Sequence, residues 1–270
     1  MPNTTGLRDG GGAPCLIIAL DGLDRQAIDR LVDELQDVDV AFKVGFEAFV
    51  AEGPSLVTAL NRRGLRVFLD LKFHDIPKTV GLACRRAVDL GVWMVNVHAS
   101  GGLAMLEAAR AAVPNCQCFD TSGGNVQGGR ECVDGTRLIA VTVLTSTDAS
   151  TLSAVGIESP LAQQVDRLAD LALTQAGLDG LVCSGQEAAG LRRRFGSKPL
   201  LVTPGIRPAG SAPDDQHRIM TPGEAINAGA SQIVVGRPIT LAEAPRQVVR
   251  SILDEISAVN TAYVTHNPAG

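Results

Sequence analysis

Long apolar segments and an excess of positive charge are both missing from this chain of 270 residues. No apolar run approaches the roughly 20 residues that a membrane-spanning helix requires. Lysine and arginine number 24 against 29 aspartates and glutamates, which gives a formal net charge of -5, so a nucleic-acid partner has little electrostatic support. The N-terminal segment also lacks the apolar core of a signal peptide. These absences predict a cytoplasmic protein that binds neither membrane nor nucleic acid.

The cysteine pattern provides no metal site. The chain has six cysteines but no CxxC pair, and no histidine lies close to the three that cluster in a Gly-rich stretch, so we expect no structural zinc. These three are Cys116, Cys118 and Cys132. The other three lie in apolar segments and are expected to be small buried side chains, Cys15, Cys84 and Cys183.

Apolar runs and amphipathic stretches alternate along the chain. The apolar runs cover residues 15–20, 40–45, 66–72, 92–99, 137–144, 180–184, 199–205 and 231–236. The helical stretches cover residues 25–35, 46–63, 77–90, 102–113, 160–176, 186–195, 222–228 and 241–259, with a short turn near residue 151. The runs are continuously apolar, as in a sheet that is covered on both faces. Eight such units predict an α/β fold, a single-domain (β/α)8 TIM barrel. An open doubly wound sheet is the alternative, but no GxGxxG follows the first run.

The domain boundaries follow from composition. We expect a flexible N-terminal tail over residues 1–13, the barrel domain over 14–260 and a C-terminal tail over 261–270. Residues 115–136 are polar and Gly-rich, without helical or strand periodicity. They fall between the fourth helix and the fifth strand, so they are predicted to form a surface insertion on the N-terminal face of the barrel, away from the chemistry.

The stretch FLDLKFHDIPKT, residues 68–79, begins as a strand and ends in a helix. Alternation places Asp70 and Lys72 on the same side at the strand's C-terminal end. Asp75 follows on the turn. Burial of such charges costs several kcal/mol unless they are paired or used. A surface ion pair with Asp75 near a helix start is the simpler alternative.

Polar residues also stand at the ends of the other predicted strands, where barrel enzymes carry their active sites. They are Asp21, Lys43, Asn96, His98, Thr145, Arg207 and Arg237. Each has a plain structural alternative: Asp21 as a turn residue, Lys43 extending out of an apolar strand, or His98 as a core histidine.

The last two strand ends indicate a phosphate site, because barrels often bind phosphate with these loops. Gly236 allows a ligand to approach the backbone closely, and Arg237 can donate two hydrogen bonds to phosphate oxygens. Arg207 and the polar loop that continues to Gln216 supply further donors. The alternative is that both arginines pair with nearby acids.

These motifs resemble the orotidine 5'-monophosphate decarboxylase family. The similarity rests on DLKFHDIPKT (70–79), ALD (19–21), FKVG (42–45), VTVLTS (141–146), VTPGIRP (202–208) and IVVGRPIT (233–240). Their order and spacing agree from about residue 15 to residue 251. The DxKxxD core alone is shared with sugar-phosphate lyases of the same suprafamily, whereas the longer motif is more specific. The N-terminal tail and the 115–136 insertion depart from the family pattern.

The resemblance implies decarboxylation of orotidine 5'-monophosphate to UMP, the last step of de novo pyrimidine synthesis, without metal or organic cofactor. Lys72 matches the residue that protonates C6, and Asp70 matches the carboxylate beside the substrate's own carboxylate. Lys43 matches the lysine that links this array to the ribose, and Asp21 matches a ribose-hydroxyl ligand.

The resemblance further implies a homodimer with shared active sites, in which Asp75, Ile76 and Thr79 reach the partner's site. Thr145 matches a pyrimidine contact. The phosphate end is matched by Arg207, Gln216, Gly236 and Arg237. Two alternatives remain at this point: a Mg-dependent sugar-phosphate decarboxylase or aldolase, which a chelator would inactivate, and a non-catalytic nucleotide-binding module, which would need a broken charge array.

Overall fold

Eight parallel strands close into a barrel in chain order, with the last strand pairing with the first. The computed structural model describes residues 15–114, 135–208 and 220–266, with side-chain environments up to residue 259. The strands are β1 Leu16–Ala19, β2 Ala41–Val44, β3 Arg66–Phe73, β4 Met94–His98, β5 Arg137–Val141, β6 Gly180–Val182, β7 Leu200–Thr203 and β8 Gln232–Val235. The predicted (β/α)8 barrel is confirmed.

Helices surround the barrel and follow the predicted stretches closely. They are α1 Arg25–Leu35, α2 Phe46–Glu52, α3 Pro54–Arg62, α4 Pro77–Asp89, α5 Leu103–Ala112, α6 Ala149–Ala154, α7 Leu161–Asp170, α8 Gly185–Phe195, α9 Pro222–Asn227, α10 Arg237–Thr240 and α11 Pro245–His266. In the described ranges, none of the helices combines the length and the apolar character that a membrane crossing would need.

Three helix boundaries differ from the prediction. The stretch 46–63 is two helices, because Gly53 has a φ of +64° and Pro54 occupies the first turn of α3. The stretch 160–176 is α7 followed by a π-helical turn, Leu171–Gln175. The last stretch, predicted over 241–259, is α11, which begins at Pro245 after the unpredicted short α10 and continues to His266, beyond the expected domain boundary at residue 260.

The core has an inner and an outer layer, which explains why the strands are apolar on both faces. On β1, Leu16 and Ile18 pack outward under the helices, whereas Ile17 lies in the barrel interior. The interior is filled by Ile17, Ala19, Ala41, Phe68, Trp93, Met94, Ile139, Val202 and Val234. Inner and outer side chains alternate because strand side chains have a period of two.

That alternation brings polar groups to the C-terminal end of the interior. Two residues beyond Ala41, the inward position on β2 is Lys43. The same step along β3 leads from Phe68 to Asp70, and on β4 it leads from Met94 to Asn96. The interior of the barrel therefore changes from apolar to polar within two residues along each of these three strands.

The cysteines that the structure describes are free thiols. Cys84 and Cys183 are buried as expected, and burial raises the pKa of each thiol to about 12. Cys15 is only partly buried. The other three cysteines, the 1–13 tail and nearly all of the 115–136 insertion lie outside the described residues.

Candidate active site

A cavity of about 600 Å³ opens at the C-terminal end of the barrel. Eight of the predicted site residues line it: Asp21, Lys43, Asp70, Lys72, Thr145, Arg207, Gly236 and Arg237. The cavity lies where the inward positions become polar, so strand periodicity and barrel closure together bring residues that are far apart in sequence to one place.

Four charged side chains form an alternating chain along one side of this cavity. Lys43 Nζ lies 2.5 Å from Asp21 Oδ2 and 3.2 Å from Asp70 Oδ2. Lys72 Nζ lies 2.7 Å from the other oxygen of Asp70, Oδ1. Each carboxylate thus faces an ammonium. At an effective dielectric near 20, a contact of this length is worth roughly 5 kcal/mol before desolvation is counted.

Burial makes this pairing necessary. The side chains of Lys43 and Asp70 are each only 11% exposed. Burial by itself lowers the pKa of Lys43, but the carboxylates of Asp70 and Asp21 outweigh it, and the pKa of Lys43 is raised overall. Lys43 is therefore a charged ammonium in the site, and a surface ion pair does not describe this arrangement.

A bulge in β3 places Lys72. Leu69 pairs with Val95 and Phe73 pairs with Val97, so three residues of β3 lie opposite one residue of β4. Within this bulge Lys72 has a φ of +43°, the only non-glycine residue with positive φ in the described ranges. A left-handed conformation costs a residue with a Cβ about 1–2 kcal/mol. Lys72, the last residue of the alternating chain of charges, therefore has a strained backbone conformation.

Asn96 is the residue of β4 opposite the bulge, and it is fully buried. Its Oδ1 accepts a hydrogen bond from the backbone N–H of Lys72 at 2.8 Å, and its Nδ2 donates to Asp70 Oδ1 at 2.7 Å. Sequence reasoning noted Asn96 at a strand end but gave it no role. The available signal was an amide at an inward strand position, where an unpaired polar group would be costly.

Gly45 ends the FKVG motif, and the sequence alone predicts no role for it either. A Cβ at this position would lie 2.2 Å from Asp21 Oδ1 and 2.8 Å from Lys43 Nζ. The close approach of the Asp21–Lys43 pair to the backbone therefore requires glycine here.

Lys72 lies over the ring of Phe46, and two histidine rings lie close to each other nearby. The rings of His74 and His98 lie 5.5 Å apart between centroids, and Lys72 Nζ lies 5.5 Å from the centroid of Phe46. The pKa of His98 is lowered by burial first and then by the positive charges of His74 and Lys72, while Asp70 opposes the shift.

Three predicted site residues lie outside the cavity lining. Asp75, Ile76 and Thr79 are exposed, at the turn before α4 and in its first residues. Asp75 Oδ1 accepts a hydrogen bond from the backbone N–H of Ile76 at 2.6 Å. Gln216 lies outside the described residues.

Arginines from two neighbouring strand ends line the same cavity. Arg207 follows β7 and Arg237 begins α10 after β8, and these two strands pair with each other. The backbone N–H of Arg207 donates to the carbonyl of Met220 at 2.9 Å. Gly236 precedes Arg237 and also lines the cavity.

The donor set of the cavity does not favour a divalent cation. Both oxygens of Asp70 are engaged, Oδ2 by Lys43 and Oδ1 by Lys72 and Asn96. Over the ranges that the structure describes, no three His, Cys, Asp or Glu side chains are grouped so as to hold a metal ion. Two ammonium groups beside the central carboxylate would repel a cation.

Comparison with known proteins gives consistent matches. The model of a family described as orotidine 5'-phosphate decarboxylase / HUMPS matches residues 14–252. The orotidine 5'-phosphate decarboxylase of Nitrosococcus oceani is 49% identical over 244 residues, which cover 90% of this chain and 98% of that protein. The enzyme of the same name from Halorhodospira halophila is 50% identical over 247 residues, which cover 92% of this chain and 98% of that protein.

Solved structures agree with these matches. The crystal structure of orotidine 5'-phosphate decarboxylase from Lactobacillus acidophilus superimposes with a TM-score of 0.73 at 35% identity, over 91% of this chain and 99% of that one. The crystal structure of a conserved protein from Geobacillus kaustophilus, described as uncharacterized, superimposes with a TM-score of 0.73 at 36% identity. The match covers 89% of this chain and 99% of that one.

Proposed function

The chain belongs to the orotidine 5'-phosphate decarboxylase / HUMPS family, and from this premise we propose that it converts orotidine 5'-monophosphate to UMP and carbon dioxide, the last step of de novo UMP synthesis. The family resemblance read from the motifs is confirmed. The observation that carries the choice of reaction is the alternating chain of Asp21, Lys43, Asp70 and Lys72 in the cavity.

The chemistry requires a cation beside the reacting carbon. When the bond from C6 to the carboxylate breaks, its electron pair stays on C6, where no conjugated acceptor can delocalise it. The Lys72 ammonium stabilises this developing negative charge and then transfers its proton to C6 as carbon dioxide leaves. Lys72 Nζ lies 2.7 Å from Asp70 Oδ1, so the proton donor is held beside the carboxylate that faces the substrate.

The other residues of the cavity are proposed to bind the remainder of the substrate. Asp70 faces the substrate carboxylate, Lys43 connects the array to the ribose, and Asp21 binds a ribose hydroxyl. Thr145 contacts the pyrimidine. The phosphate end consists of Arg207, Gln216, Gly236 and Arg237. The pairing of β7 with β8 supports this last assignment, because it makes the two arginine-bearing strand ends neighbours.

The active unit is proposed to be a homodimer that works in the cytoplasm. Asp75, Ile76 and Thr79 are exposed on their own chain and do not line its cavity, which is what residues serving a partner's site would do. Exposed apolar side chains on α2, on α4 and at the residue just before α4 support this arrangement, since burying them against a second copy is favourable. They are Phe46, Val50, Ile76 and Leu82.

The reaction is tested by the loss of the orotidine-ring absorbance when purified protein is added to orotidine 5'-monophosphate with excess EDTA. We expect conversion to UMP. If folded protein gives no conversion, the proposal fails, and the same assay with Mg²⁺ and pentulose or hexulose phosphates tests the metal-dependent alternative. The engagement of both Asp70 oxygens by protein donors counts against that alternative.

The role of Lys72 has its own test. Lys72→Ala should lower turnover by at least about 10⁴-fold, because it removes both the proton donor and the adjacent positive charge. UMP binding, measured by calorimetry, should persist because the ribose and phosphate contacts remain. Lys198→Ala, which changes an exposed lysine between α8 and β7, is the matched control and should retain full activity. Turnover near that of the unaltered protein in Lys72→Ala would remove Lys72 from the mechanism.

A further inference from the structure

We propose that Asn96 is the positioning residue that aims Lys72 and orients Asp70 for the reaction. The inference rests on the proposed function and extends it to a residue that does not line the cavity. Asn96 lies on β4, is completely buried, and directs both ends of its amide at the charge array.

The orientation of the amide follows from chemistry. A backbone N–H can only donate and a carboxylate can only accept, so the group facing Lys72 N must be the amide oxygen and the group facing Asp70 must be the amide nitrogen. The two contacts are 2.8 and 2.7 Å. Rotation of the amide by 180° would break both, so this side chain has one orientation.

The contact with Lys72 replaces a missing strand hydrogen bond. The regular β3–β4 register is interrupted between Leu69 and Phe73, and Lys72 lies in this interruption with a φ of +43°. Asn96 supplies the acceptor that the neighbouring strand would otherwise provide. We infer that this bond holds Lys72 in its left-handed conformation and so determines where the ammonium lies.

The contact with Asp70 sets the rotation of its carboxylate. Asp70 Oδ1 accepts from both Asn96 Nδ2 and Lys72 Nζ, each at 2.7 Å. With Oδ1 fixed in this way, Oδ2 faces Lys43 at 3.2 Å. One amide thus acts on the backbone of the proton donor and on the side chain of its partner.

The scaffold behind Asn96 is rigid enough for such a task. Asn96 stands in regular register with Ile139 of β5, so its backbone is fixed on the side away from the bulge. Catalytic groups held from regular strands keep their geometry better than groups held from loops. A misplacement of about 1 Å at a reacting group can cost about 100-fold in rate.

The first test is Asn96→Leu, which keeps the number of side-chain heavy atoms and the branching at Cγ, with somewhat larger methyl groups, and removes both hydrogen bonds. We expect kcat to fall about 100-fold, whereas the Kd for UMP should change less than about threefold, because the loss lies in the transition state. The backbone amide of Lys72 donates to Asn96, so it should exchange slowly in the unaltered protein and faster in the variant when both are followed by NMR.

The matched control is Asn61→Leu. Asn61 on α3 is an asparagine whose amide donates to the carbonyls of Leu90 and Gly91, away from the cavity. This variant should lose stability with kcat unchanged. A kcat for Asn96→Leu within about threefold of the unaltered folded protein would overturn the proposal, as would unchanged exchange at Lys72.

A second variant gives a signature that a purely structural role would not produce. Asn96→Asp keeps an oxygen that can accept from the Lys72 N–H, but it sets a second carboxylate against Asp70. When one proton is bound between the two carboxyl groups, one of them can again donate a hydrogen bond to the other. Lys72 and Lys43 oppose this protonation from β3 and β2, and His98 is the nearest titratable group on β4. The ratio of variant to unaltered kcat should rise on acidification from about pH 8 to about pH 6.

The two hypotheses fail in different ways. If the unaltered protein does not convert orotidine 5'-monophosphate, the proposed function is rejected, but the Lys72 amide exchange still tests the contact with Asn96. If the unaltered protein is active and the kcat of Asn96→Asp stays within about threefold of the unaltered value at about pH 8, although the variant can no longer donate to Asp70, the positioning role is rejected while the function stands. This second variant decides the question if Asn96→Leu does not fold.

Discussion

At the scale of single residues, the charge array depends on a position that has no side chain. Gly45 lies so close to Asp21 and Lys43 that a Cβ would stand 2.2 Å from Asp21 Oδ1. Gly45→Ala should therefore push the ends of these two side chains apart while leaving the strand intact. We expect kcat/KM to fall at least about tenfold, by the same sensitivity to small displacements, with little change in the melting temperature.

Gly190→Ala is the matched control for this substitution. Gly190 lies within α8, where a Cβ would meet nothing closer than 4.0 Å. Alanine there should stabilise the fold by about 0.5–1 kcal/mol, because glycine is unfavourable inside helices. Activity should be unchanged. Steady-state kinetics and thermal unfolding of both variants separate the two effects, and full activity of Gly45→Ala would contradict the steric argument.

His98 provides a prediction about pH. Burial, followed by the charges of His74 and Lys72, lowers the pKa of His98 below its usual value, which is about 6.5 in the unfolded chain. At pH values between the lowered pKa of the folded protein and the pKa of the unfolded chain, the unfolded state binds more protons. The free energy of unfolding therefore rises with pH in this interval. The stability from neutral His98 is complete above about pH 6.5 and is lost as the pH falls through the folded value.

The measurement is a histidine titration by NMR. The unaltered protein should show a depressed pKa for His98, and His74→Gln should move it back toward the ordinary value because one opposing charge is removed. An unchanged pKa of His98 in His74→Gln would show that His74 does not contribute to the shift.

The residue scale also shows where sequence reasoning stops. Asp70 and Lys43 follow from strand periodicity, because inward positions recur every two residues. The left-handed backbone of Lys72 does not follow, since it depends on a bulge and on Asn96 in another strand. A local pattern cannot specify a conformation whose hydrogen-bond acceptor lies 24 residues away.

At the scale of secondary-structure elements, Arg192 joins α8 to the segments that enter β7 and β8. Its Nε donates to the carbonyl of Gly229 at 2.7 Å, its Nη1 to the carbonyl of Pro199 at 2.7 Å, and its Nη2 to Ser231 Oγ at 2.6 Å. These contacts lie on the N-terminal face, opposite the cavity. They stabilise the barrel without taking part in the proposed reaction.

Arg192→Lys should destabilise the protein by about 1.5–3 kcal/mol, since one ammonium cannot satisfy the acceptors that a planar guanidinium reaches. Chemical denaturation measures the loss, and kcat should stay unchanged. Arg193→Lys, at an exposed neighbouring position, should shift stability by no more than about 0.5 kcal/mol. Equal stability of the two variants would contradict the assigned role of Arg192.

Element boundaries were predictable where a local signal existed. The division between α2 and α3 lies at Gly53-Pro54, where a glycine followed by a proline is a local signal for a helix boundary. The π-helical turn after α7 has no comparable signal, because its hydrogen bonds depend on how Leu171–Gln175 packs. The eight strands were found because a buried parallel strand is apolar on both faces.

At the scale of the whole molecule, barrel closure explains why strand ends far apart in sequence form one cavity. The location of the cavity at the strand ends could be predicted from the eight strand–helix units, because barrels of this kind carry their active sites at the C-terminal ends of the strands. A role for Asp75, Ile76 and Thr79 could not be derived from one chain, because all three are exposed and lie outside the cavity lining. Only the family resemblance suggested a purpose for that exposure.

A shared site predicts complementation between two inactive variants. In a dimer of Lys72→Ala with Asp75→Asn, one site carries both changes and the other carries neither. A symmetric dimer that exchanges subunits at random should therefore recover about a quarter of the unaltered activity. Turnover of orotidine 5'-monophosphate after mixing measures the recovery, and mass spectrometry of the intact dimers confirms the exchange.

The control pairs Lys72→Ala with Asp70→Asn, both changes in groups that line the cavity of their own chain. Every mixed dimer then has one change in each site, so no activity should return. Recovery in the first mixture alone would place Asp75 in the partner's site. Equal results from both mixtures, with exchange demonstrated, would mean that each barrel works with its own residues and that the exposure of Asp75 has another cause.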